Sequence, residues 1–463
     1  MAMHLSHIAD RISAAVGLSL SALIILHQVF GLEWAAAPSR VAALLLMLSV
    51  LHRFGLREWA LLALASLLAF GLWHKGAVAA ITFALAQGAF FAGFILMMML
   101  LREAAQTSVS VLKVGAWITQ QPPGRRYFSN WGAGQLAGIL LNFGAISLLA
   151  PLIQRGVRAA PMETEADRAR ALIRERRQLS ALVRGFAPVI TWAPTTLTQV
   201  IILGSVPGLD PRLAVAYGLG LGAVMLVLGW TEDRLRWGRA RVQTADPGPF
   251  PRRAGLDLLA VYLLLVLGAW AVLAIAGVSL PKALMTVAPV MLIGWVLSQN
   301  HGALTPSAER LAQIVREAVP RLARDAYTLG AAGFIGIAAA RLAPVEALAA
   351  WTENAHLAPW MIVALIPLVI TLGGQIALSP MMMVVFLAAV MSALPALPAA
   401  PEHIAIALAA GWMLSLTASP NATGALLISG ATGIAPTTIT WKWNGAYSLS
   451  ALTVFAVLSY LMV

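Results

Sequence analysis

Two groups of small polar residues lie inside long apolar segments of this 463-residue chain. Their hydroxyls and amides offer neutral oxygen ligands for a hard cation such as Na+ and hydrogen-bond donors for a carboxylate. The candidates for contact with a solute are Asn142, Ser147, Thr195, Thr196, Gln375, Ser379, Asn421 and Thr423. The candidates for contact with an ion are Gly144, Thr198, Gly373, Gly374, Thr417 and Ser419.

The elements that position these residues are interrupted helices. A break in a helix within lipid exposes backbone polar groups, which are tolerated only where protein or a water-filled cavity satisfies them. Breaks at matching places in two halves of a chain are typical of a transporter's binding site. The interrupted segments are 132–154 at Asn142-Phe143-Gly144, 185–207 at Pro188 and Pro194, 359–393 at Gly373-Gly374-Gln375 and Ser379-Pro380, and 404–434 at 417–421.

A structural interpretation of the same residues stays open. Pro and Gly also kink helices without binding anything, and Ser or Thr hydroxyls often bond back to their own helix. We favour a binding role over a purely structural one, because the breaks occur in both halves of the chain. Without a function, they would only lower the stability of the protein.

The composition predicts an all-α polytopic membrane protein. Hydrophobic residues make up 60% of the chain and charged residues 11%, against about 25% charged in soluble domains. Apolar runs of about twenty residues match a helix that crosses a bilayer. This composition excludes a soluble globular enzyme, and the absence of Cys excludes disulfides and thiolate metal sites. We expect no cofactor beyond Na+ as a coupling ion.

The net charge of +12 indicates orientation rather than nucleic-acid binding, because cytoplasmic loops are rich in Lys and Arg. The topology that places most Lys and Arg residues in the cytoplasm has about eleven transmembrane helices and two re-entrant hairpins, 132–154 and 359–393. It puts the N-terminus in the cytoplasm and the C-terminus in the periplasm of a bacterial inner membrane. The basic residues left outside are Arg40, Lys75, Arg212, Lys282 and Arg341.

The two hairpins then open to opposite sides, which predicts an inverted repeat. Gly144 and Pro151 align with Gly373 and Pro380 at one constant spacing. The predicted regions are N-terminal scaffold helices at 1–58, the first repeat at 59–230, a basic loop and linking helix at 231–282, and the second repeat at 283–463. Basic amphipathic surface helices are predicted at 165–182 and 307–326.

Known enzyme motifs for metalloprotease, hydrolase, phosphate-loop and dinucleotide chemistry are absent from the sequence. The glycines at 218, 220 and 222 predict close helix packing instead of a nucleotide site, and those at 330, 333 and 336 predict the same. All 19 acidic residues fall in loops or at segment ends, which disfavours proton coupling through a buried acid. Arg184, near the start of a broken helix, is either an anion ligand or an interfacial anchor.

Hairpins, broken helices with a Pro/Thr/Asn turn and inverted repetition resemble the ion transporter superfamily. Its members include divalent-anion/sodium symporters, citrate and arsenite permeases, and the large membrane subunit of tripartite periplasmic (TRAP) carriers. The resemblance covers roughly 59–462. Thr195-Thr196 and Asn421-Ala422-Thr423 are degenerate equivalents of the Ser-Asn-Thr signature of the divalent-anion symporters. The resemblance implies a mobile transport domain, a scaffold, Na+ sites beside an anion, and a homodimer.

The sequence therefore predicts a secondary active transporter, Na+-coupled, that moves a small anion such as a carboxylate by an elevator-type mechanism. Its expected partners are the anion, membrane lipids and a second copy, with no nucleic acid. Three alternatives stay open. They are a TRAP-type subunit that needs a solute-binding protein, a polytopic enzyme acting on lipid-linked substrates, and a non-transporting structural membrane protein. The enzyme would use outer-loop residues between Arg341 and His403.

Overall fold

The computed structural model describes residues 2–119, 121–158, 164–238, 248–344, 346–347, 350, 356–394 and 396–463. These residues are predominantly α-helical, and none of the described residues forms a β-strand. Parts of the predicted basic loop at 239–247, and Glu353 of the outer-loop group, lie outside the described residues.

Nineteen α-helices can be followed along the described chain. The first ten are α1 (Ala2–Gln28), α2 (Ala36–Val50), α3 (Leu56–His74), α4 (Val78–Gln106), α5 (Val109–Thr119), α6 (Pro123–Leu141), α7 (Gly144–Arg158), α8 (Glu165–Phe186), α9 (Val189–Trp192) and α10 (Leu197–Ser205). The others are α11 (Pro211–Trp237), α12 (Arg252–Ala276), α13 (Leu280–Gln299), α14 (Leu304–Leu342), α15 (Pro359–Gln375), α16 (Pro380–Ala393), α17 (Pro401–Ala418), α18 (Thr423–Thr432) and α19 (Asn444–Met462). A π-helical turn, Thr438–Trp443, leads into α19.

The chain is a multi-pass membrane protein. Ten spans among the described residues are long and apolar enough to cross a membrane, and they coincide with ten of the predicted crossings. The sequence also predicts a crossing at 327–342; this stretch is the second half of α14 and is not among the ten. The all-α polytopic fold class is confirmed.

The helix breaks occur where the sequence predicts them. The segment 185–207 is divided at Pro188 and again at 193–196, and 404–434 is divided at 419–422. Proline lacks a backbone N–H and clashes with the preceding turn, so it ends a helix locally. The two predicted hairpin segments divide at 142–143 and at 376–379.

Two predicted surface helices are parts of longer helices. The stretch 165–182 continues to Phe186 as α8, and its residues from Gln178 onward are buried. The stretch 307–326 continues to Leu342 as α14, a helix of 39 residues. Both stretches are therefore helical as predicted, but each helix continues beyond its predicted C-terminal end.

The chain divides into two compact units that interleave in sequence. The first consists of Met1–Ala105, Leu259–Leu348 and Val385–Leu394. In it α1 packs against α2 and α14, and Gly88 of α4 lies close to Gly330 of α14. A methyl group at Gly88 of α4 would lie 2.7 Å from the carbonyl oxygen of Gly330 on α14. The close packing predicted for Gly330 is confirmed.

The second unit consists of Gln106–Leu258, Ala349–Val384 and Pro395–Val463. Helix α17 forms its centre, since every residue from Ile404 to Thr417 is buried. A helix that is apolar on all sides must be covered on all sides. A methyl group at Gly218 of α11 would overlap the Thr191 carbonyl, which confirms the packing role predicted for Gly218.

Candidate functional site

All of the predicted site residues lie in the second unit, around four helix interruptions. Two interruptions are the turns between α6 and α7 and between α15 and α16. The other two divide the broken helices, between α9 and α10 and between α17 and α18. The broken helices pack against each other through the contacts of α9 and α10 with α17.

The first group of predicted residues lies around Asn142 and Thr195. In this group, the break between α9 and α10 is tied to the end of α6, just before the α6–α7 turn. The Thr195 hydroxyl donates a hydrogen bond of 3.2 Å to the carbonyl oxygen of Ile139, in the last turn of α6. Thr196 donates 2.8 Å back to the Ala193 carbonyl. Asn142 ends α6 with φ = 50° and ψ = −132°, a conformation that residues with a side chain rarely adopt. Both threonine hydroxyls are therefore already engaged by carbonyls.

The side chain of Gln199, in α10, contains a hydrogen-bond acceptor that has no partner in the part of the chain that the structure describes. Its amide nitrogen donates to the carbonyls of Thr191 and Ile190, at 2.6 and 3.2 Å, which lie in the last turn before the break. Its side-chain oxygen is buried and meets no hydrogen-bond donor among the described residues. A buried amide oxygen of this kind suits a donor group or a cation.

The second group of predicted residues lies around Gly374 and Ser419. In this group, the break between α17 and α18 is tied to the end of α15 by hydrogen bonds of the same kind. The Ser419 hydroxyl donates 2.6 Å to the Gly374 carbonyl. The Asn421 amide donates to the carbonyls of Gly374 and Gln375, at 3.2 and 3.1 Å. Ser415 adds a bond of 3.2 Å to the carbonyl of Ile370. The end of α15 is therefore held by three side chains of the broken helix.

Two further polar groups surround the second break. Thr417 shares a 2.9 Å hydrogen bond with Ser448 of α19, and the indole of Trp441 donates 3.0 Å to the Gln375 side chain. The Thr371 hydroxyl is buried without a partner among the described residues. Within the α15–α16 turn, Ala377 has φ = 64°, which residues with a side chain rarely adopt.

Burial separates the two predicted classes of residue. All of the ion candidates are buried: Gly144, Thr198, Gly373, Gly374, Thr417 and Ser419. Six of the solute candidates are at least partly exposed: Asn142, Ser147, Gln375, Ser379, Asn421 and Thr423. The other two, Thr195 and Thr196, are buried. Burial therefore separates the two classes at every residue except Thr195 and Thr196.

The structure also links α7 to the second broken helix. Helix α7, which carries Ser147, packs against α18, which begins at Thr423. The Gln154 amide of α7 donates 3.1 Å to the carbonyl of Thr432, at the end of α18. The Ser147 hydroxyl itself bonds only weakly, at 3.5 Å, to the Phe143 carbonyl.

Each broken helix restarts with its N-terminal backbone groups free of side-chain caps. Neither Thr196, before α10, nor Ala422, before α18, provides a side-chain hydrogen bond to the helix. The first N–H groups of a helix carry a partial positive charge and attract anions. The arrangement therefore offers N-termini to an anion and unpaired oxygens to a cation.

Arg184 is held in place by several partners. Its guanidinium pairs with Glu232 at 2.9 Å, donates 2.8 Å to the Asn444 side chain and lies 4.3 Å from the centre of the Tyr447 ring. These partners use most of its donors inside the second unit. Arg184 is therefore a buried residue that ties α8 to α11 and α19, and not the interfacial anchor that the sequence left open.

Comparison with known proteins yields a similarity of fold. No protein-family model matches the chain, and no curated protein sequence matches it. The crystal structure of the Alcanivorax borkumensis YdaH transporter, described as having an unusual topology, is similar with a TM-score of 0.57. The two sequences are 16% identical, and the match covers 87% of this chain and 96% of that chain. The chain thus has a fold that a membrane transporter also adopts.

Proposed function

We propose that this protein is a secondary active transporter that moves a small anion, such as a carboxylate, across the inner membrane in symport with Na+. One observation carries the proposal. At both helix breaks, a hydroxyl bonds a carbonyl near the end of another helix, from Thr195 to Ile139 of α6 and from Ser419 to Gly374 of α15. The fold shared with a solved transporter supports it.

The anion would bind between the restarted helices. The N-termini of α10 and α18 lack side-chain caps, and their partial charges favour a carboxylate. Asn421 and Thr423 are exposed at the second break and could orient such a group. No full positive charge is needed at the site, because two helix termini and several donors act together.

Na+ would bind at the buried oxygens. The unpaired side-chain oxygens of Gln199 and Thr371 and the backbone carbonyls beside Gly374 are neutral ligands for a hard cation. Na+ at these positions would add to the positive field that holds the anion. Binding of Na+ would therefore raise the affinity for the anion, which couples the transport of the two. Under this proposal the hairpins and broken helices move together as the transport domain of an elevator.

Thermal unfolding of the purified full chain tests the coupled sites. The protein would be unfolded in NaCl and in choline chloride, with succinate, citrate or sulfate added in turn. A ligand that binds only the folded state raises apparent stability by mass action. We expect one anion to raise the unfolding midpoint in NaCl and to have little effect in choline chloride.

Uptake into proteoliposomes then tests transport. Radiolabelled anion from the first experiment should accumulate under an inward Na+ gradient and equilibrate without one. Accumulation driven by a proton gradient alone would contradict Na+ coupling. Absence of uptake of every anion that binds would contradict transport itself.

A further inference from the structure

Unpaired polar atoms collect where the beginning of α6 packs against α8. They are Nη2 of Arg126, the hydroxyl of Tyr127, Nε of Arg174 and the hydroxyl of Ser180, and none of them meets a hydrogen-bond partner among the described residues. Arg126, Tyr127 and Ser180 are 8%, 7% and 7% exposed. A buried donor without an acceptor is destabilising, so these atoms are expected to have a partner that is not a protein group.

A small pocket is lined by two of these residues, Tyr127 and Ser180, and we call it the arginine pocket. Its volume is about 10 Å³. The lining residues on which the argument rests are Tyr127, Arg176, Arg177, Ser180, Arg184 and Arg236. The hydroxyl of Tyr127 lies near Arg184 without hydrogen-bond geometry. Two hydroxyls and four guanidinium groups thus converge on a space that holds one oxygen atom.

The carboxylates of the pocket do not balance its positive charge. Arg177 pairs with Asp233 through bonds of 3.0 and 2.6 Å. Glu232 is shared between Arg184, at 2.9 Å, and Arg236, at 3.9 Å. Arg176 has a backbone carbonyl, that of Lys442, as its hydrogen-bond acceptor.

Arg126 and Arg174 add further positive charge next to Arg177. Burial, followed by the charges of Arg174 and Arg177, lowers the pKa of Arg126 to about 10. Arg126 is therefore still cationic at neutral pH. Its Nε donates 3.1 Å to the Gln121 carbonyl, which leaves Nη2 for another acceptor.

We infer that the arginine pocket binds a phosphoryl oxyanion, with one oxygen between the Tyr127 and Ser180 hydroxyls and the rest of the group at the opening. Arginine and hydroxyl donors are the usual ligands of phosphate. Basic pockets between transmembrane helices also take the headgroups of anionic lipids. The phosphoryl group therefore comes from an anionic phospholipid or from free phosphate. The site is separate from the helix breaks of the proposed transport site.

The test measures apparent stability of the full chain with each source of phosphate. One arm adds inorganic phosphate to the protein in detergent, against chloride at equal ionic strength. The other compares nanodiscs of phosphatidylcholine with nanodiscs of an equal mixture of phosphatidylcholine and phosphatidylglycerol. A rise in the unfolding midpoint in the first arm identifies free phosphate, and a rise only in the second identifies the lipid headgroup.

Three variants assign the effect to the pocket. Arg126→Gln removes a positive charge next to Arg177 at the edge of the pocket, so it should weaken the apparent affinity for the effective source about twofold to fivefold. Arg168→Gln removes the same charge from an exposed position of α8 and should keep wild-type affinity. Tyr127→Phe removes an unpaired hydroxyl, so it should fold normally without phosphate and respond less to it.

Two results would overturn the inference. One is a wild-type protein that responds to neither source, since the pocket would then hold only water. The other is a response that Tyr127→Phe and Arg126→Gln share in full with wild type, which would locate the phosphoryl group elsewhere. If Arg126→Gln fails to fold, the response of Tyr127→Phe to the phosphate source is sufficient to test the inference.

Discussion

The Ser419 hydroxyl donates a 2.6 Å hydrogen bond to the carbonyl oxygen of Gly374, across 45 positions of sequence. This bond joins the break between α17 and α18 to the end of α15. Thr195 makes the corresponding bond to Ile139 across 56 positions. In both cases, a carbonyl near the end of a helix, α6 or α15, is satisfied by a polar residue at the break of another helix, as a break in lipid requires.

Ser419→Ala should destabilise the protein by about 1 kcal/mol, because the Gly374 carbonyl loses its shortest hydrogen bond and keeps only the 3.2 Å bonds from the Asn421 amide and the Ala377 backbone N–H. Under the proposed function it should also reduce the stabilisation by Na+. Ser459→Ala is the matched control, since Ser459 is buried too but bonds within its own helix, to Phe455. If Na+ raises the unfolding midpoint of the two variants equally, Ser419 is not part of the ion site.

Thr195→Val should reduce uptake of the transported anion, and Thr195→Ser should retain most of it. Valine keeps the shape of threonine but loses the bond to Ile139, whereas serine keeps the hydroxyl. Initial uptake rates in proteoliposomes measure the difference. If both Thr195→Val and Asn421→Ala transport at wild-type rates with unchanged Na+ dependence, the proposed sites are wrong.

Gly185→Ala should prevent normal folding or lower the unfolding midpoint strongly. A methyl group there would overlap the backbone of Trp131 on α6, and backbone overlap forces the two helices apart. Gly132→Ala is the control on α6, because no atom lies within 4 Å of the added methyl group. We expect that variant to be as stable as wild type, or up to about 1 kcal/mol more stable.

Asp233→Asn should cost about 3–5 kcal/mol, because it leaves Arg177 without its carboxylate in a buried site. The side chains of Arg177 and Asp233 are 18% and 8% exposed. The pair of Arg170 with Asp167 is a control at the surface, where Arg170→Gln should change stability by less than about 1 kcal/mol. Equal effects of the two substitutions on unfolding would show that the buried pair contributes nothing special.

The predicted topology can be tested with single cysteines, because the chain has none of its own. Arg168→Cys and Arg212→Cys introduce exposed thiols on either side of the span that ends at Ser205. An impermeant thiol reagent added to intact cells should label position 212 and leave position 168 unlabelled. Labelling of position 168 from outside would invert the predicted orientation.

Local chemistry allowed much of the fold to be predicted from sequence. Apolar runs of membrane-spanning length predict the helices, and Pro188, Pro194 and Pro420 predict interruptions because proline cannot continue a helix's hydrogen bonds. The turn at Asn142 follows from the same kind of local rule. These features depend on neighbouring residues alone. Helix α8 was predicted too short because burial of its second half is a tertiary effect.

Tertiary structure decided which groups meet. Nothing in the sequence pairs Thr195 with the carbonyl of Ile139, or Arg184 with Asn444, which lies 260 positions away. Arg126, Tyr127 and Ser180 were not singled out, because an unpaired donor becomes visible only when its surroundings are known. The sequence by itself determined where the helices run and where they break, since backbone hydrogen bonding is local. The packing of distant segments determined which polar groups were satisfied and which were left to bind a ligand.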